Sequence, residues 1–237
     1  SIGDDFAYIS WESKAPKARL LFATRELPDS LKADYIYLID TIVTNYDSVR
    51  IDNLTPATQY YVYVQNLCED ENSEVSMKYA RFMTDCPPEG KGIKAPYFND
   101  FESSTLTGTG KKPDCWAGVQ LASDTVGTTQ SYPYVNATAS NAHSGSNSMY
   151  VYSYFSGTTS STKSIAVAPR MAGNLNEYLV SFYAKKSGTT DSYGNKLLIG
   201  YVTDTDQKAI NNTFVPLGTV LVEDATHKYY ELSLANK

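Results

Sequence analysis

Short runs of alternating apolar and polar residues, each ended by a polar or turn-forming segment, leave this chain few folds to choose from. FAYISW at 6–11 sets Phe6, Tyr8 and Ser10 on one face and Ile9 and Trp11 on the other. ARLLFAT (18–24), YIYLIDTIV (35–43), VRIDNL (49–54), QYYVYVQNL (59–67) and KYARFMT (78–84) follow. A period of two is the mark of a half-buried strand, because successive side chains leave a pleated backbone on opposite faces. The residue mix agrees: 20 of the 237 residues are Tyr, and Thr, Ser and Val are abundant. Such residues suit a pleated surface. Helix-period apolar runs are scarce, so an all-β fold is expected.

The stretch DCPPEGKGIKAP (85–96) interrupts the pattern, with four Pro and Gly residues in its first eight positions. It reads as a linker, and two domains are expected, 1–86 and 87–237. After it, PYFNDFES (96–103) is expected to open a second strand set, followed by SMYVYSYF (148–155), YLVSFYAKK (178–186), NKLLIGYVT (195–203), FVPLGTVLV (214–222) and KYYELSL (228–234). Between these lie TLTGTGKK (105–112), SDTVGTTQS (123–131), SGTTSSTKS (156–164) and KSGTTDSYGN (186–195), expected as long loops. Long loops on a rigid scaffold often carry binding residues, and as often are solvated connectors.

Charge excludes some partners. A formal net charge of −6 and a pI near 5.0 argue against nucleic acid and against an anionic membrane surface. No apolar stretch is long enough to span a bilayer, and no signal peptide opens the chain. The chain is therefore expected to be a mature or excised piece. Three Cys is an odd count, which in an exported protein points to a missing partner or a free thiol. The alternative is three buried thiols in a reducing compartment.

Residues 4–84 resemble a fibronectin type III domain. Trp11 stands in an early strand, and Leu54, Pro56, Thr58 and Tyr60 match the family's Leu-x-Pro-x-Thr-x-Tyr pattern. The resemblance implies that Leu54 enters the core and that the Tyr60 hydroxyl closes a tyrosine corner. Tyr60, Val62 and Val64 should share one face. Only SIGDD precedes the Trp-bearing strand, so the family's first strand is expected to be missing.

The second module resembles the jelly-roll domains of bacterial surface proteins: MAM-like, cleaved-adhesin and choice-of-anchor J types, akin to carbohydrate-binding modules. PYFNDFES, PDCW (113–116), HSGSNSMYV (143–151), YLVSFYAKK and KYYELSL carry that resemblance, in order. The family's last strands would lie beyond Lys237. The pairing of the two modules looks like large secreted or outer-membrane-associated proteins of Bacteroidetes.

Residues that could carry chemistry are few. His143 and His227 stand far apart in sequence, in no metal or protease spacing, and no nucleophile elbow, phosphate loop or CxxC occurs. Asp204 and Asp206 sit in one turn, whereas glycosidase chemistry needs carboxylates facing across a cleft. No intrinsic enzyme activity is expected. The jelly-roll resemblance implies a structural calcium ion held by Glu102 with the Ser144, Gly145 and Asn147 loop, and Asp100 as a nearby second carboxylate. The alternative is an exposed carboxylate beside a plain turn. For sugar binding the candidates are the aromatic and amide residues Tyr132, Tyr134, Asn136, Tyr154 and Tyr193, with Phe155 beside them. The alternative there is half-buried strand filler. Asn53, Asn136 and Asn211 stand in Asn-x-Ser/Thr sites.

A Cys68–Cys86 disulfide is expected to fail on geometry. The two flank opposite ends of a hairpin, about 25 Å apart at roughly 3.4 Å per residue, whereas a disulfide needs Cα atoms within about 7 Å. The MAM-like resemblance implies a Cys86–Cys115 pair instead, worth roughly 3–4 kcal/mol, with Cys68 left over. The reading overall is a non-catalytic, exported binding or adhesion module pair that recognises glycan or a surface protein. The alternatives are a structural spacer and an accessory region of a larger secreted hydrolase.

Overall fold

The computed structural model describes the chain except residues 14, 45, 69–71, 77, 104–106, 124, 157–159, 188–194 and 236–237; for residues 154–156 and 160–161 it describes the backbone only. The protein is mostly β-strand, in several sheets. It divides into two compact units, Ser1–Asn99 and Asp100–Lys237.

The first unit has strands β1 (Phe6–Ser10), β2 (Lys17–Ala23), β3 (Ile39–Thr44), β4 (Ser48–Asp52), β5 (Gln59–Leu67) and β6 (Ala80–Met83), with one helical turn, α1 (Asp29–Lys32). β1 pairs with β4, and a four-stranded sheet runs β3-β2-β5-β6. All pairings are antiparallel. Alternation dictates the core. Ala7, Ile9 and Ile51 from one sheet meet Leu20, Phe22, Val43, Tyr60 and Val62 from the other, and Leu54 joins them. Each such large apolar side chain contributes roughly 1.5–3 kcal/mol when fully buried.

The other face of β5 is covered too. Tyr61 and Tyr63 pack with Leu21, Ala23 and Leu27 under Tyr35, Tyr37 and Tyr79. That second cluster explains one difference from expectation. YIYLIDTIV becomes strand only from Ile39, because Tyr35 and Tyr37 pack over Tyr63 and the Tyr37 hydroxyl donates to the Lys32 carbonyl, 2.8 Å away.

The second unit contains β7 (Ala117–Ala122), β8 (Thr125–Val126), β9 (Tyr134–Asn136), β10 (Ser148–Tyr150), β11 (Tyr154–Ser156), β12 (Ser160–Val167), β13 (Leu179–Ala184), β14 (Lys196–Tyr201), β15 (Val215–Leu221) and β16 (Lys228–Ser233). A second helix, α2 (Gln207–Thr213), lies between β14 and β15. The sheets are β11-β12-β7-β8, β9-β10, β13-β16 and β14-β15. Val119 and Leu121 of β7 form the core with Ile210 of α2.

Several local expectations change here. PYFNDFES forms no strand: the Asp100 carboxylate accepts the Glu102 N–H at 3.0 Å, and Phe101 takes a left-handed φ of 66°, so the backbone turns instead. SMYVYSYF breaks between β10 and β11, where the Ser164 hydroxyl both accepts the Tyr152 N–H and donates to its carbonyl, at 2.9 and 2.7 Å. Residues 160–164, expected as loop, lie in β12, where 160–162 pair with β11 and 162–164 with β7. The Asp204 and Asp206 turn starts α2, with the Asp206 carboxylate capping it by accepting the Lys208 N–H.

Candidate functional site

The expected ligand residues fall into separate places. Tyr132 and Tyr134 meet, with ring centroids 5.4 Å apart, but they pack against Tyr150 and Tyr152 in a half-buried cluster around the β9–β10 hairpin. Burial raises the Tyr132 pKa above its ordinary value. Asn136 pairs with Ser148 in the same hairpin. Only the backbone of Tyr154 is described, in β11, and Tyr193 lies outside the described residues. The four tyrosines present edges and partial faces to each other rather than an open aromatic plane.

Glu102 meets the loop expected for it. Its Oε1 accepts the backbone N–H groups of Ser146 (2.8 Å) and Asn147 (2.5 Å), and the Asn147 amide donates to the Phe101 carbonyl at 2.9 Å. Gly145 has φ 63°, and a Cβ there would stand 2.6 Å from the Glu102 carboxyl carbon and from its Oε1. This position requires glycine on both counts. Ser144 is exposed at the start of the turn. Calcium takes six to eight oxygens. Here Oε1 is committed to two N–H donors, which leaves Oε2 as the Glu102 oxygen with which an ion could be held. Among the described residues no three His, Cys, Asp or Glu side chains gather to hold a metal.

Cys86 and Cys115 are both disulfide-bonded, and Cys68 is a free, exposed thiol. Cys68 follows the end of β5, whereas Met83, shortly before Cys86, pairs with Gln59 at its beginning.

An arrangement that sequence reading missed lies on the β13–β16 sheet. Its outer face runs in cross-strand pairs: Leu179 with Ser233, Ser181 with Glu231, Tyr183 with Tyr229. Tyr183 and Tyr229 are 52% and 54% exposed, although each is large and aromatic, and their rings are 5.4 Å apart. Just past the last register pair come Lys185 and His227. The loop 139–143 lies over this end. His143 stacks on Tyr183 at 3.7 Å and 12°, and its ring is 5.5 Å from His227. The Lys185 ammonium donates to the Ser140 carbonyl at 2.7 Å, and His227 bonds the Asn141 backbone. At the other side of the tyrosine pair the Tyr229 hydroxyl donates to Glu231 at 2.8 Å. Burial lowers the His227 pKa below the ordinary histidine value, and the charges of Lys185 and His143 lower it further.

None of the family models matches the chain, no curated protein matches its sequence, and no solved structure matches its fold. The geometry of the molecule therefore carries the functional reading. No helix among the described residues is long and apolar enough to cross a membrane.

The signal that could have found this site is the strand pattern itself. YLVSFYAKK and KYYELSL place Tyr183 and Tyr229 on the faces opposite Val180, Phe182, Leu232 and Leu234. The cross-strand register that sets Tyr183 beside Tyr229, and the loop that lays His143 on them, are tertiary facts.

Proposed function

We propose that the protein is a non-catalytic, exported binding or adhesion module pair, a fibronectin type III-like sandwich followed by a jelly-roll domain, that recognises glycan at the cell surface. One observation carries the glycan reading: two large, half-exposed tyrosines that meet edge to face on the outer face of a sheet, flanked by hydrogen-bonding side chains. Sugars are bound by aromatic planes that cover their C–H faces while polar neighbours take the hydroxyls. The fibronectin-like reading rests on the Thr55 N–H donating to the Tyr60 hydroxyl at 2.9 Å and on the core shared by two sheets. The jelly-roll reading rests on the motif order alone.

The test is a glycan array on the intact chain, with hydrolase assays on peptides and glycosides in parallel. Saturable glycan binding without turnover supports the reading. An array with no binder favours the spacer alternative, and turnover lost on mutation of one acid or His favours an enzyme. A structural calcium ion at Glu102 belongs to the same proposal: a lower melting temperature in chelator than in calcium supports it, since a ligand bound only to the native state stabilises that state. Equal melts remove it.

A further inference from the structure

We infer that the β13–β16 face takes an acidic glycan, with a carboxylate-bearing pyranose stacked on Tyr229 beside Tyr183 and its carboxylate held by Lys185 and the His143–His227 pair. The inference rests on the glycan reading above and gives it a location and a charge.

The argument is one of charge complementarity along a single sheet face. Its middle is aromatic: Tyr183 and Tyr229 meet edge to face at 60°, each about half exposed, and His143 covers one face of Tyr183, so the Tyr229 ring is the one left to stack on a sugar. One end is basic, with one ammonium and two imidazoles. Lys185, His227 and His143 converge there from two strands and a loop that are distant in sequence. In a chain with a formal net charge of −6, such a cluster would be expected to draw in acidic side chains. The ion pairs Arg19–Asp40, Lys32–Asp29 and Arg50–Asp52 involve none of these three. The groups face one another instead: burial first, and then repulsion from Lys185 and His143, hold the His227 pKa below its ordinary value. An anion from outside would relieve that repulsion.

The donors suit the task. A Lys ammonium has three N–H groups, and the Ser140 carbonyl uses one of those of Lys185. Charge-assisted bonds to a carboxylate are roughly twice as strong as neutral ones. At the other end of the face stand Ser181 and the Glu231 carboxylate, which can accept from sugar hydroxyls. Aromatic centre, basic end and acceptor end together match one uronic acid residue better than a neutral sugar, which leaves the Lys185 ammonium without an anion. They also match it better than a peptide, whose side chains supply no flat polar ring.

The experiment measures binding of the intact chain to a panel of carboxylate-bearing oligosaccharides: oligogalacturonate, oligoguluronate and hyaluronan fragments. Each is paired with the same oligosaccharide whose carboxyls are reduced to alcohols. At least one acid should bind about tenfold or more tighter than its neutral partner at low salt, with the advantage shrinking as salt rises. Lys185→Gln and His143→Ala should erase the acid preference. Tyr229→Ala should weaken acid and neutral forms alike, whereas Tyr229→Phe, which keeps the ring, should keep most of the binding. Should Tyr229→Ala unfold, shifts of the Tyr183 and Tyr229 ring resonances on titration of the native chain give the same information. No acid outbinding its neutral partner overturns the inference and leaves neutral glycan binding standing. A preference for sulfated over carboxylated chains of equal charge overturns the carboxylate assignment, and binding indifferent to Tyr229→Ala overturns the location. If neither this panel nor the array yields a binder, the glycan reading itself fails.

Discussion

The Gln130 side chain clamps the Gln120 backbone, and the Gln120 side chain clamps the backbone just beyond Gln130. The Gln120 N–H donates to Gln130 Oε1 at 2.8 Å, and Gln130 Nε2 returns to the Gln120 carbonyl at 2.8 Å and also reaches the Gly127 carbonyl. Gln120 Oε1 in turn accepts the Ser131 and Tyr132 N–H groups. The amide of Gln130 thus continues the pairing of β7 past the end of β8, and the 125–131 connection is tied down as it approaches the tyrosine cluster.

Gln130→Ala should therefore cost about 1–3 kcal/mol, the usual penalty for leaving partly buried backbone groups unpaired. Gln130→Glu should do no better, because it sets a carboxylate oxygen against the two carbonyls that Nε2 now serves. Denaturant midpoints of the three proteins, with unchanged slopes, check this. A wild-type midpoint for Gln130→Glu would mean the clamp does not form.

Gly145→Ala should be among the more damaging single-methyl additions in the second unit. The substitution strains a φ of 63° and pushes a methyl against the Glu102 carboxyl. Strain at a positive φ costs of order 1 kcal/mol or more, beyond any entropy gained in the unfolded chain. Glu102→Gln should destabilise less, since a carbonyl oxygen can still accept from Ser146 and Asn147. Thermal melts of the two variants measure the order.

Much of the fold was legible because it depends on period-two alternation. The strands around Ala7, Leu20, Phe22, Tyr60 and Val62 read straight from the pattern, and their faces followed. Tyr60 was legible for a further reason: its hydroxyl partner, Thr55, is five residues away and so belongs to local sequence. Where sequence reading failed, a side chain had replaced backbone pairing. Ser164 takes the Tyr152 N–H and ends SMYVYSYF early, Asp100 turns PYFNDFES, and Asp206 caps a short helix that no apolar period announces. The binding candidates divide in the same way. Tyr132 and Tyr134 looked exposed because they flank a proline in a loop-like stretch, yet Tyr150 and Tyr152 cover them. His143 and His227 looked unrelated because only the long-range approach of the 139–143 loop to β13 and β16 joins them.

The thiols give a direct chemical check. Cys68 is exposed and free, so it should alkylate at once in the native protein, while Cys86 and Cys115 should react only after reduction. Non-reducing peptide mapping of exported protein should recover Cys86 and Cys115 in one linked peptide, as the MAM-like resemblance implies. A disulfide that includes Cys68 would refute the hairpin argument, because Cys68 and Cys86 leave opposite ends of β5 and β6. Removal of the bond by reduction should lower the melting temperature, with the size set by the loop that it closes.

His227 should make stability and ligand binding respond to pH in opposite senses. Its pKa in the folded protein lies below the ordinary value of about 6.5, first through burial and then through Lys185 and His143. The folded state therefore favours the neutral ring. That contribution to stability is fully present above the ordinary value, and it is lost as pH falls through that value towards the depressed one. The group is partly exposed, so the loss should be small. A bound carboxylate reverses the preference: beside an anion the protonated ring is favoured, and the His227 pKa must rise on binding. Binding of an acidic glycan then takes up protons, and by linkage its affinity increases as pH falls across the same range. Titration of the His227 ring protons by NMR, with and without saturating oligogalacturonate or whichever acid binds, measures the shift directly. Lys185→Gln should raise the His227 pKa of the free protein towards the ordinary value and shrink the ligand-induced rise. A His227 titration that is identical in free and bound protein would place the carboxylate elsewhere.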